Sequence, residues 1–293
     1  MRRLLGCAAA LVLLLVSGCG SQDPLQANGN QHGTLVVGSA DFAESELLMQ
    51  IYAEALRTTG ADVQTRPRIG AREFYVKAVQ DGELAVIPDY TGNLLQHLDP
   101  SSTATESGQV YDRLGQVLPR GLKLLDPAPA EDSDVLTVTA ETAASGVRSM
   151  ADLGPRCGQF VLGAPAEWKT RWEAKIAQDY GCRFAEIRSI EAGTVTVDAL
   201  TGGQVQVANL FTTSSDIPAH HLVKLADPKH MFPAQNVVPL VHDGQLSPQQ
   251  VAVLNRVSRA LTTDRLTELD RRLEADKANP ADLAKEFVAS LGR

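Results

Sequence analysis

The sequence predicts an α/β protein built as two lobes, and three observations lead there. From Thr34 onward strand-like and helix-like runs alternate, a second series of the same kind opens near "DVLTVTAETAA", and the chain ends in a long helical stretch after a proline-interrupted apolar segment. Alternation of this kind requires crossover connections and a mostly parallel sheet in each lobe. At 293 residues the chain has room for one large domain or two ordinary ones.

The elements follow in order. "TLVVGSA" is a strand ending in a Gly-Ser turn, and "ESELLMQIYAEALRTTG" places Leu47, Leu48, Ile51 and Leu56 on one helical face and stops at Gly60. "DVQTRPRIG" is a weaker strand and "AREFYVKAVQDG" a second helix. In "LAVIPDYTGN" the branched run Leu84 to Ile87 fits a strand buried on both faces, and Pro88, lacking an N–H, is expected to end it. Ligands of open α/β sheets lie beyond the carboxyl ends of the strands, so Tyr90 falls where a ligand is met. The second block runs through "DVLTVTAETAA", "QFVLGAP", the helix "AEWKTRWEAKIAQDYG", "RFAEIRSI", the helix "TVTVDALTGG" and the strand "VQVANLF". After "KHMFPAQNVVPLVHDG", Ser247 and Pro248 make a cap and first-turn proline for terminal helices expected to return to the first lobe. The resulting division is 1–18 and 19–33 as leader and tether, 34–133 with 236–293 as lobe 1, and 134–235 as lobe 2.

The amino terminus has its own logic. "MRRLLGCAAALVLLLVSGCGSQ" has a short basic start, an apolar run too short to span a bilayer comfortably and then small residues, which is the layout of a secretory signal. Val16-Ser17-Gly18-Cys19 resembles a bacterial lipobox, in which Cys19 is lipidated and becomes the mature amino terminus. The polar "GSQDPLQANGNQHG" behind it is a flexible tether. The expected location is therefore the extracytoplasmic face of the cell membrane, held there by lipid. With Cys7 lost with the leader and Cys19 modified, Cys157 and Cys182 remain, either as a disulfide or as two buried thiols. A bridge would close a loop of about 25 residues and contribute on the order of 3 kcal/mol.

Composition and motifs exclude other classes. Lys and Arg total 27 against 35 Asp and Glu, a net charge of -8 with no basic stripe, so nucleic acid is not an expected partner. "GQFVLGAP" has P-loop glycine spacing, but Ala164 and Pro165 stand where Lys and Ser or Thr are needed; HExxH and GxSxG are absent. Adjacent His220 and His221 would point to opposite faces of a strand, and the acids of "DRLTELDRRLEAD" alternate with Arg as a solvated helix face. No catalytic residue, metal site or cofactor is expected.

The chain resembles the glycine betaine, choline and carnitine binding family of osmoprotectant ABC importers, the ProX type. The resemblance rests on "VVGSADFAESELLMQIYAEAL", "RIGAREFYVKAVQDGELAVIPDYTGNLL", "EWKTRWEAKIAQDYG", "VQVANLFTTSSDIPAHHLVKLADPKHMFP" and "NVVPLV", in the family's order. It implies a periplasmic-binding-protein fold of type II, a Venus flytrap with the solute between the lobes, boxed by aromatic rings around a quaternary ammonium. It implies a monomer working with permease and ATPase subunits. Tyr90 matches one wall of the box and Phe211 a second; Arg171 matches the carboxylate clamp, a role suited to its rigid fork of donors. Asn93 lies near a helix start whose amides favour an anion. Asp134 and Gln235 stand where the family usually has tyrosines, and Ala40 where it has a longer polar side chain. Ser39, Asp41 and Thr212 complete the ligand-binding set. Asp134 and Gln235 leave open a hydroxyl-rich or aromatic ligand, or a sensor that presents its ligand to another protein.

Overall fold

The computed structural model describes residues 33–191 and 193–292, of which Thr34 onward forms one compact unit. The leader 1–18, Cys19 and the tether as far as residue 32 lie outside the described residues.

The chain enters with β1 (Leu35–Gly38), α1 (Ala43–Arg57), β2 (Val63–Arg66), α2 (Arg72–Gln80), β3 (Val86–Tyr90), α3 (Thr91–Leu98), α4 (Ser107–Val117) and β4 (Leu122–Leu124). It crosses to β5 (Asp134–Val138), α5 (Ala140–Ala144), α6 (Met150–Leu153), β6 (Val161–Ala164), α7 (Ala166–Tyr180), β7 (Glu186–Ser189), α8 (Thr194–Thr201), β8 (Val207–Phe211), α9 (Asp216–Ala219) and β9 (Val223–Lys224). It then returns through β10 (Val237–His242), α10 (Pro248–Ala260), α11 (Thr263–Glu274) and α12 (Pro280–Ser290).

Two five-stranded sheets result, in the orders β2-β1-β3-β10-β4 and β7-β6-β8-β5-β9. The two orders correspond strand for strand. In each sheet four strands run parallel and one runs against them, and the reversed strand, β10 or β5, is the first one entered after a crossing from the other lobe. Helices cover both faces, as near-continuous apolar strands such as Val86–Ile87 and Val207–Leu210 require.

In lobe 1, Leu47, Leu48, Ile51 and Leu56 of α1 are fully buried against Leu254, Val257, Leu266 and Phe287 from the terminal helices, so the carboxyl-terminal segment completes the first lobe's core. Ser247 caps α10 in a capping box with Gln250, and Pro248 follows at the first turn. In lobe 2 the corresponding core gathers Leu136, Leu162, Trp168, Trp172 and Phe232. Cys157 and Cys182 form a disulfide there, with Cα atoms 5.3 Å apart, tying a 3-10 turn at Gly154–Gln159 to the end of α7.

Pro88 does not end its strand. β3 runs on to Tyr90, with Pro88 opposite Pro239 of β10. In an antiparallel ladder alternate residues turn their N–H and C=O groups away from a given partner, and the Pro239 carbonyl indeed accepts from Leu125 on the far side. Each proline thus lacks a donor where the other strand asks for none. α3 starts directly after β3 at Thr91, with Tyr90 as its cap residue.

The two crossings lie side by side. Asp132 N donates to Gln235 O at 3.1 Å, Val237 N to Ala130 O at 3.0 Å, and Glu131 bridges Asn236 in antiparallel fashion. Thr212 of lobe 2 is tied to the first crossing, its hydroxyl donating to Glu131 O and accepting from Ser133 N.

Candidate functional site

Topology decides where a site can form. Tyr90, the last residue of β3, pairs with Val237, the first of β10, and Phe211, the last of β8, pairs with Asp134, the first of β5. Both crossings therefore leave from the carboxyl ends of the parallel strands, and those ends of the two sheets flank one interlobe crevice. Two cavities open along it. One of about 520 Å³ has walls from Thr105 to Gly108 of lobe 1 and from Asp134 and Thr212 of lobe 2. Another, of about 280 Å³, lies between Gly92 and Leu95 of lobe 1 and Trp172 and Lys175 of lobe 2.

On the lobe 1 side Phe42, which precedes α1, is an exposed aromatic beside Tyr90, 42% accessible. Its ring is tilted against Tyr90, with centroids 6.0 Å apart. Tyr90 itself is only 5% accessible, and its hydroxyl donates to Glu44 of α1. Burial first, and the Glu44 charge second, push the Tyr90 phenol well above its usual range. The sequence-matched wall is thus the layer behind Phe42.

The start of α3 is already engaged. Asn93 N donates to Gln235 Oε1 at 2.8 Å, Thr91 N to Asn236 O at 3.0 Å, and Asn236 N to Thr91 Oγ1 at 3.1 Å. A Cβ at Gly92 would stand 2.6 Å from the Ala234 carbonyl, so this backbone approach needs glycine. The Gln235 side chain thus takes the Asn93 amide at the helix start expected to favour an anion. The Ser39 side chain is fully buried and accepts from Arg68 N at 2.9 Å, which fastens the loop after β2. Asp41 is exposed and pairs with Arg68 at 3.3 Å.

Lobe 2 keeps its groups more open. Phe211 is 40% accessible. Asp134 accepts from Asn209 Nδ2 at 2.9 Å, and Asn209 in turn accepts from Trp168 Nε1 at 3.1 Å, so a buried chain of bonds aims the Asp134 carboxyl. Burial raises its pKa, opposed by the Asn209 bond and by the nearby Arg171 charge. The exposed Arg171 guanidinium sits 4.9 Å from the centroid of Trp172, whose ring meets Phe232 edge-on at 5.2 Å. Arg171, Asp134, Phe211 and Thr212 therefore form one group at the ends of β5 and β8.

Phe42, Glu44 and Trp172 were not among the residues expected at the site. The signal for Phe42 was present, since an aromatic between a strand-ending Gly-Ser turn and an acidic first helical turn has no helical face to join. Trp172 falls in the buried stripe of α7 with Trp168 and Ile176, and that periodicity masks its edge position. Among the described residues, no group of three or more His, Cys, Asp or Glu is arranged to hold a metal ion.

Residues 33–290 match the family model of the substrate binding domain of ABC-type glycine betaine transport systems. The chain belongs to this family. It is therefore a substrate-binding component that takes up a small solute and works with ABC transporter components. It is 26% identical over 287 residues to the glycine betaine-binding protein YehZ of Escherichia coli (strain K12), covering 92% of this chain and 93% of that one. A glycine-betaine-binding protein of Pseudomonas aeruginosa is 25% identical over 278 residues, covering 88% of each. A crystal structure described as a glycine betaine/carnitine/choline ABC transporter superposes with a TM-score of 0.81 at 18% identity, covering 87% of this chain and 98% of that one, a likeness of fold. The two-lobed α/β architecture of this family is the one described above.

Proposed function

We propose that the protein is a lipid-anchored, extracytoplasmic receptor that captures a quaternary-ammonium osmoprotectant between its lobes. It closes on the solute and delivers it to a permease driven by a cytoplasmic ATPase. The observation that carries this reading is that exposed Phe42, packed on Tyr90, lies at the carboxyl end of the lobe 1 sheet, while exposed Phe211 lies at that of the lobe 2 sheet beside Asp134, which feels the Arg171 charge.

The chemistry follows from those groups. An aromatic face attracts a cation by about 0.5 to 2 kcal/mol, more when water is displaced, and a quaternary ammonium offers no N–H that would demand hydrogen bonds. Arg171 supplies a planar fork for the carboxylate of a betaine or carnitine. Asp134, beside it, completes the charge pattern for a zwitterion. Closure by rotation about the paired crossings removes water from both. Nothing in this sequence of events makes or breaks a covalent bond, and the protein acts as a carrier. The relatives' glycine betaine-binding names support the same ligand class.

One observation favours a second ligand class. Burial makes Asp134 hold a proton more readily than an ordinary carboxyl, and it lies with Thr212 on the larger cavity, an arrangement able to donate to and accept from hydroxyls. A hydroxylated or aromatic solute stacked on Phe42 and Phe211 would use it. Calorimetry on protein starting after Cys19 separates the two, with glycine betaine, choline, carnitine and proline set against neutral polyols and phenols. Binding confined to the polyols or phenols overturns the first reading. Changing Cys19 to Ser is expected to release the protein from membranes with its solution affinity intact; a variant that stays membrane-bound removes lipid as the anchor.

A further inference from the structure

Behind Tyr90 lies a group of carboxyls that solute capture by the exposed residues does not use. Glu44 opens α1, Asp132 sits on the first crossing and Asp270 on α11, so three separate elements contribute one acid each. Glu44 takes the Tyr90 hydroxyl, and Asp132 takes the Thr213 hydroxyl of lobe 2 at 2.7 Å. Asp270 is 6% accessible, and its Oδ1 is buried with no hydrogen-bond partner. Glu44 is the hydrogen-bonding neighbour of the Asp270 carboxyl group and the charge that acts on it most. The charged neighbours of Asp270 are acidic: Asp132 and Glu274 face it, and Asp134 adds to the field at Asp132; farther out Asp216 and the cation Lys277 act on Glu274. The flanking arginines are engaged elsewhere, Arg271 with Glu268 and Asp276 at 2.9 and 3.0 Å, and Arg272 with Glu286 at 2.8 Å.

Two ionised carboxylates side by side have no hydrogen to share and repel strongly when buried. A single proton resolves both problems: it gives the orphaned Asp270 oxygen a bond and leaves one charge for the Tyr90 hydroxyl to meet. We propose that Asp270 is held protonated and donates to Glu44, the two acting together as positioning residues for Tyr90, so that the aromatic wall of the crevice is set by a proton held behind it. The proposal rests on the solute-capture reading only in taking Tyr90 and Phe42 as that wall.

The titration has a definite sign. Burial and the Glu44 charge push Asp270 up to about 11, and burial followed by Glu44 pushes Asp132 up to about 8. An acid whose folded pKa is raised contributes stability that is complete below the ordinary carboxylate range and is lost as pH climbs to the folded value. Stability should therefore decline as pH rises from the ordinary carboxylate range toward about 11, while the wall itself loses its support only as pH nears that upper value.

Two measurements test this on protein starting after Cys19. Thermal melting between pH 6 and pH 10 should fall in the parent and fall less in Asp270→Asn, whose amide donates to Glu44 at every pH. Calorimetry with glycine betaine, which has no group titrating in this interval, should show affinity held within about twofold from pH 7 to pH 10 in the parent, where the folded Asp270 keeps its proton, and weakening only at more alkaline pH; Asp270→Asn should hold throughout, and a loss already complete by pH 8 overturns Asp270 as the titrating group. Glu44→Gln serves where Asp270→Asn fails to fold, and should flatten both profiles in the same way. Superimposable melting profiles of parent and variant overturn the proton couple, as does a parent whose melting does not change with pH. If no solute binds at all, the transport reading fails and the melting profiles alone decide the couple.

Discussion

The two lobes share one strand order yet treat the residues at their carboxyl ends in opposite ways. In lobe 1 nearly every candidate group is already bonded within the protein: Tyr90 to Glu44, Asn93 to Gln235, and Thr91 to Asn236. In lobe 2 the guanidinium of Arg171 rests on a tryptophan face and Phe211 stands open. The difference follows from where the crossings attach. The return crossing passes directly over the start of α3, so lobe 1 spends its polar groups holding the crossings in place, while the end of β8 borders the crevice with its aromatic side chain uncovered. Lobe 1 thus has its groups tied within the protein, while lobe 2 leaves Phe211 and Arg171 open at the crevice.

Four experiments press on that contrast, the largest effect first. Removing the disulfide by changing Cys157 and Cys182 to Ala should cost lobe 2 about 3 kcal/mol in urea unfolding, with solute affinity retained; an equal parent and variant would show that the bridge does nothing for the lobe. Arg171→Ala should weaken glycine betaine by about 1.5 to 3 kcal/mol, roughly ten- to a hundredfold and more, while choline, which has no carboxylate, loses far less. An equal loss for both ligands would remove the clamp. Phe211→Ala and Phe42→Ala should each weaken a quaternary ammonium by about 0.5 to 2 kcal/mol in the same titration, with Phe42→Ala also changing stability through its contact with Tyr90. If only one of them matters, the site is one-sided. Asp41→Asn, which breaks an exposed ion pair, should move melting and affinity by less than about 0.5 kcal/mol. A larger loss would return Asp41 to the ligand site.

Much of the architecture was legible because it rests on periodicity. The apolar face of α1, the strand "VQVANLF", the capped helix at Ser247 and the return of the last helices to lobe 1 all follow from side-chain spacing. Pro88 was misread because a proline's effect on a strand depends on which side its missing donor faces, and that is fixed by Pro239, 151 residues away. The site was less legible for a related reason. Ser39, Tyr90, Asn93 and Gln235 are all near the crevice in the chain's path, but bonds to Arg68, Glu44 and one another decide which atoms remain free. Local sequence carries an element's direction; it does not carry which neighbour claims a hydroxyl or an amide. Phe42 shows the reverse case, a residue with no partner in its own element that becomes the exposed face.

The pairing of the two crossings limits how the halves can travel. Because Asp132 and Val237 are stitched to the opposite strand by backbone amides, neither connection can slide along the other without breaking those bonds, and Gly92 sits too close to Ala234 to allow α3 to ride over the seam. What remains soft is rotation about the line the two strands share. On the proposed closing motion, engulfing and freeing a guest become the forward and backward strokes of a single arc, and any bulky side chain set into that seam would shorten the arc for both.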